Sequence, residues 1–179
     1  IGDPTTDLVI ADGAAGTIAT QIFGAASTTT TLTYAATASA TNMASGNVTP
    51  NFQRSVVLFD SLGSTHTMTF GFLKSTLANT WLTEVYITPE TGVTEAAGFS
   101  NGQIATGVLK FNTDGSYDAA NTSTALTAAM SIDWSDAGVT NSTIAVDWGT
   151  TAATDGMTQF DSTSVLISTE TNGALAGDL

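Results

Sequence analysis

The chain has 179 residues, enough for one domain with a genuine apolar core, and carries three basic residues against sixteen acidic ones, for a net charge of −13. It has no cysteine, so disulfides, cysteine metal sites and thiol nucleophiles are excluded, and a surface this negative repels nucleic acid phosphates and anionic lipid headgroups, so neither is expected as a partner. Thirty-five threonines and 17 glycines in a chain that is 42% hydrophobic but only 11% charged point to an all-β domain, because β-branched side chains suit strands and glycine suits turns.

The opening Ile1-Gly2-Asp3-Pro4 has no positive region followed by an apolar run, so it does not read as a secretory signal. Without an initiator Met it reads as part of a longer protein. No apolar run reaches the length of a membrane span. Residues 1–53 form a polar Thr/Ala-rich lead-in, part of the same fold or a small adjoining β unit. Strand-like pieces occur in it at Asp7–Ile10, Thr17–Phe23 and Thr29–Tyr34. Ala35 to Pro50 holds no large apolar side chain beyond Met43 and Val48 and reads as a loop or extended connector.

Residues 54–179 read as the main β domain. Ser55–Phe59 is a short apolar strand, closed by Asp60-Ser61-Leu62-Gly63, a turn with Gly63 free to take positive φ. Thr65–Lys74 then alternates: His66, Met68, Phe70 and Phe72 point to an apolar inner face, the threonines away from it. Thr80–Thr88, containing Trp81, completes a three-stranded meander that Pro89 ends. Gly107–Phe111 leads into a hairpin turn at Asn112-Thr113-Asp114-Gly115-Ser116. Thr124–Trp134 fits either a strand or a short helix. Ile144–Gly149, Gly156–Phe160 and Ser164–Ser168 read as further strands, the last followed by Asn172-Gly173. So many short strands imply a strongly curled antiparallel sheet, a barrel or a sandwich, with little helix.

Catalytic readings are weak. His66 is the single histidine and would have to serve any triad, yet it falls on the apolar phase of its strand, where it can cap the core while reaching water. No Gly-X-Ser-X-Gly elbow accompanies it. Asp114-Gly115 resembles half a calcium loop, but no Glu follows at the needed distance, and turn chemistry explains the pair. Asp133, Asp136 and Asp147 read as solvated loop residues. Trp81, Trp134 and Trp148 could stack on sugars, but each sits beside Leu82, Ile132 or Val146 and reads as core. No cofactor or metal is expected.

The run from Val56 through Asp60-Ser61-Leu62-Gly63, His66, Phe70 and Lys74 to Asn79-Thr80-Trp81 resembles the outer domain of the bacterial flagellar hook protein. Leu109–Gly115, Asp147-Trp148-Gly149, Met157–Phe160 and the closing Thr171–Leu179 are similar to that family's later segments in the same order. The resemblance implies a structural subunit of the hook, the short extracellular tube that acts as a universal joint between rod and filament. It implies export through the flagellar type III apparatus without a cleaved signal, and other copies of the hook subunit as partners. The terminal helices used in polymerisation are absent here, so the isolated chain is expected to be monomeric. In this reading Asp60, Gly63, His66, Phe70, Phe72, Trp81, Asp114, Gly115 and Trp148 define turns and core, with no catalytic task. The alternative is a carbohydrate-binding or adhesin-type β-sandwich, with a calcium-stabilised module and an acid-dyad hydrolase behind it.

Overall fold

The computed structural model describes residues 33–159. Its centre is a four-stranded antiparallel sheet in simple meander order, β1 (Phe52–Phe59), β2 (Thr65–Lys74), β3 (Thr80–Thr88) and β4 (Gln103–Lys110). A second, two-stranded sheet pairs β5 (Met130–Ile132) with β6 (Ser142–Ile144). The helical elements are a 3₁₀ turn at Glu90–Gly92 and one helical turn, α1, at Thr124–Thr127. The all-β, antiparallel expectation holds.

Registers follow from the turns. Gly63 N–H donates to the Asp60 carbonyl at 3.1 Å and Asp60 N–H to the Ser64 carbonyl at 3.0 Å, closing a tight connection that sets Phe59 opposite Thr65. Gly63 sits at φ 87°, a region that disfavours any side chain with a Cβ. Between β3 and β4 a bulge at Val85/Tyr86 moves the pairing from Ala105 to Gln103.

One face of the sheet carries the core. Met68, Phe72, Val85, Ile87, Ala105 and Leu109 are buried there beneath α1, β5 and the Trp134 and Trp148 segments, with Leu126 and Ile132 fully enclosed. Gly107 makes room for that layer: a Cβ on it would lie 2.6 Å from the Ser123 Cβ and 3.2 Å from the Leu126 Cγ. The outer edge of β4 is covered as well. Val108 N–H donates to the Ser123 hydroxyl at 2.8 Å and Lys110 N–H to the Thr122 hydroxyl at 3.1 Å, so two edge donors are satisfied by side chains.

The opposite face is covered too, which the alternation did not predict. Thr69, Gly71 and Glu84 on that phase are buried. The Ala35–Pro50 tract lies over them as a strap without strand or helix: Asn42 is 0% and Met43 2% exposed. Met43 packs against Gly71, whose missing side chain leaves the sulfur room; a Cβ there would meet it at 3.2 Å. This segment is therefore more than a connector, and its backbone is pinned by distant polar groups. The Ala44 amide donates to Glu84 Oε2 at 3.1 Å, Gln103 Nε2 to the Ala36 carbonyl at 2.9 Å, and Asn101 Nδ2 to Asn42 Oδ1 at 2.8 Å.

Three expected elements differ. Thr124–Trp134 contains both alternatives, one helical turn and then β5. Ile144–Gly149 is not a strand beyond Ile144, because Trp148 turns inward and donates its indole N–H to the Leu126 carbonyl at 2.8 Å. Residues 157–159 of the next expected strand are likewise irregular. The strands expected at Asp7–Ile10, Thr17–Phe23 and Ser164–Ser168, most of the one at Thr29–Tyr34, and the Asn172-Gly173 turn lie outside the described residues.

Candidate functional site

The single histidine and the first hairpin turn form one unit. Asp60 Oδ1 accepts from the amides of Leu62 and Ser64, both at 2.9 Å, while Oδ2 faces His66 Nε2 at 3.1 Å. His66 lies on the core phase of β2 and its ring meets Trp134 at 4.1 Å between centroids, tilted 31°. Its other nitrogen, Nδ1, is buried without a hydrogen-bond partner, beneath Gly92. A Cβ at position 92 would lie 3.1 Å from that nitrogen.

The sequence expectation that His66 reaches water is corrected: the residue is 7% exposed. It sinks because Trp134 and the 3₁₀ turn close over it. Burial raises the Asp60 carboxyl, but the hydrogen bond from His66, those from the Ser64 and Leu62 amides, and the Ser64 hydroxyl outweigh it and hold the group below its ordinary value. A histidine–aspartate pair becomes catalytic when the free imidazole nitrogen faces a nucleophile and a substrate. Here that nitrogen faces the backbone of a turn, and the pair works as a pin between the hairpin and the Trp134 segment.

The other expected residues serve packing and turns. Phe70 and Phe72 meet Trp148 edge-on at 6.1 and 6.2 Å. Trp134 and Trp148 are buried, whereas Trp81 is half-buried and donates its indole N–H to Gln159 Oε1 at 2.7 Å. Among the described residues the exposed large apolar side chains are Val57, Leu62 and Leu77, so no aromatic sugar platform is present there. Asp114 Oδ1 accepts from the amide and hydroxyl of Ser116 at 3.0 and 2.6 Å, and the hydroxyl, then the amide, lower its carboxyl. Gly115 completes that turn at φ 84°, and Phe111 bridges Tyr117 across it. No group of three or more acidic or histidine side chains among the described residues is placed to hold a metal ion.

Glu84 escaped the sequence reading. It is 0% exposed, its Oε1 has no hydrogen-bond partner, and its charge adds to burial in raising the phenols of Tyr34 and Tyr86. The signal was present: Leu82, Glu84 and Tyr86 share the phase opposite Trp81, Thr83, Val85 and Ile87, so the second face of β3 was never wholly polar.

These features define a class first: an antiparallel β module filled on both faces, with its lone histidine used as a structural pin. The chain belongs to the family described as the flagellar basal body protein FlaE D2 domain, whose profile matches residues 27–174. It is 31% identical over 159 residues to the flagellar hook protein FlgE of Caulobacter vibrioides, covering 75% of this chain and 26% of that protein. It is also similar to a solved 32 kDa fragment of the hook protein FlgE from Caulobacter crescentus, with TM-score 0.60 and 26% identity over 76% of this chain and 50% of the fragment. The chain thus spans about a quarter of the length of the curated relative, 26%.

Proposed function

We propose that this chain is an outer-surface domain of a flagellar hook subunit, a non-catalytic element of the extracellular joint between rod and filament. The observation that carries the reading is the family match over residues 27–174, in which the Asp60–His66 hairpin and the Trp148 segment are internal supports. We also propose residues 33–53 as the part of the polar lead-in that packs onto the 54–179 domain, through Met43 and Glu84.

The partners in this reading are further copies of the same subunit, and the location is the hook, reached by flagellar export without a cleaved signal. A joint that bends on each rotation must exchange its outer contacts. Apolar burial is worth about 2.5 kcal/mol per 100 Å², so broad greasy contacts would resist sliding. The surface suits sliding: among the described residues three large apolar side chains are exposed, scattered amid Thr, Ser and Ala. The isolated domain is monomeric in this account, the polymerising segments lying elsewhere in the subunit.

Immunogold labelling of isolated flagella with antibodies raised against this chain tests the reading. Label on the short segment between basal body and filament is expected. Label on the filament alone, or on the cell surface away from flagella, overturns it.

A further inference from the structure

Asn101 and Gly102 are the central residues of a turn in which Gln103 N–H donates to the Ser100 carbonyl at 3.3 Å. Both lie at positive φ, 60° and 77°, the combination that Asn-Gly tolerates best. The surroundings leave little freedom to replace either. A Cβ on Gly102 would collide with the Ile87 carbonyl oxygen. Asn101 donates twice through Nδ2, to the Ser39 carbonyl at 2.7 Å and to Asn42 Oδ1 at 2.8 Å, and these two bonds tie the strap to the turn.

The dipeptide that this turn demands is also chemically labile, because a glycine has no side chain to shield its nitrogen. That nitrogen can attack the side-chain carbonyl carbon of the preceding asparagine. The N–Cγ bond forms, the Cγ–Nδ2 bond breaks, and ammonia leaves with the proton of the backbone amide. Water then opens the cyclic imide at either carbonyl, giving aspartate or its β-linked isomer, and is the sole co-reactant. In the folded chain both partners of this step are restrained. Gly102 is buried, with its N–H donating to Glu95 Oε1 and its carbonyl accepting from Ile87 N–H at 2.8 Å. The Asn101 side chain, which must swing toward the Gly102 nitrogen, is held by Ser39 and Asn42 of the strap.

We propose that Asn101 is a self-modification site gated by the strap, and that its deamidation irreversibly loosens the strap. Cyclisation needs the bonds to Ser39 and Asn42 broken first, so local opening of the strap sets its rate. The product has no side-chain N–H to give. Its carboxylate faces the Ser39 carbonyl and Asn42 Oδ1, acceptors with no proton between them, where the amide had supplied two. The strap then keeps its anchors at Ala36 and Ala44 and loses the one between them. The site draws on no partner and does not depend on the hook reading.

The test incubates the purified chain in mildly alkaline buffer, native and in urea, and follows the exchange of NH2 for OH at residue 101 by peptide mass spectrometry. The native chain should convert at least about tenfold more slowly than the unfolded one, as expected when a local opening limits the reaction. Met43→Ala, which weakens the packing of the strap, should raise the native rate severalfold. The consequence is read separately in Asn101→Asp by hydrogen exchange. The amides of Ala44 and Ser45, bonded to Glu84 and Asn42, should exchange about tenfold faster than in the wild type, while those of β2 and β3 stay protected. Asn101→Gly, which keeps the positive φ and adds no carboxylate, should loosen the strap less. Equal conversion in the native and unfolded chain, a native rate indifferent to Met43→Ala in a folded variant, or strap amides in Asn101→Asp as protected as in the wild type overturn the proposal.

Discussion

His66 holds the hairpin turn and the Trp134 segment together, with Nε2 facing Asp60 and its ring packed against Trp134, so its loss should be felt well away from the hairpin. In His66→Ala the Asp60 carboxylate keeps its two amide donors but loses the imidazole, and Trp134 loses the ring tilted against it at 4.1 Å. A Tm lowered by several degrees in thermal circular dichroism is expected, with Trp134 fluorescence shifted to the red as water enters. The pH dependence has a definite sign. The Asp60 carboxyl titrates below its ordinary value of 3.8 in the folded chain, so below that value the unfolded chain binds more protons. Its contribution is therefore complete above about pH 5 and is lost as the pH falls through the folded-state value. Asp114 and Asp155 are shifted the same way by their turn hydrogen bonds and act with it. Against Asp60→Asn, the wild type should be the more stable at neutral pH, and the gap should close on acidification below 3.8. A gap that widened in acid would refute the assignment.

The strap and the β4–α1 junction carry the tests at the level of elements. Met43 is 2% exposed on the second sheet face, so Met43→Ala should cost about 2–5 kcal/mol in urea unfolding, as for other buried large side chains. A surface connector would lose less than about 0.5 kcal/mol. Gly107→Ala drives a methyl to 2.6 Å from the Ser123 Cβ and should cost about 1–3 kcal/mol by overpacking. The β1–β3 meander was legible because local rules agree there: alternation in Thr65–Lys74, and a glycine at φ 87° closing the Asp60 turn. Phe72 and Trp148 lie in the core and Gly63 and Gly115 in turns at positive φ, where local pattern places them, while the depth of His66 is set by Trp134 from 68 positions away. The strap was not legible, since one methionine gives no period and its backbone is held by Glu84, Gln103 and Asn101 from other elements. The stretch 145–149 read as a strand on composition, but the Trp148 indole is drawn to Leu126 instead of into a ladder.

At the scale of the whole molecule the charge of −13 acts on the fold itself. Within one chain, three cations leave little attraction to set against sixteen carboxylates, and no Lys or Arg lies within ion-pair distance of a described carboxylate, the buried Asp60–His66 pair being a hydrogen bond. Self-repulsion therefore dominates, and salt should stabilise the fold. The screening length falls from about 30 Å at 0.01 M to about 8 Å at 0.15 M, which suppresses repulsion across the domain and leaves the buried pair nearly untouched. Calorimetry over that range should show Tm rising by a few degrees and then flattening. A Tm that fell with added salt would mean that attraction within the chain outweighs repulsion, and the account of its sparse charge would fail.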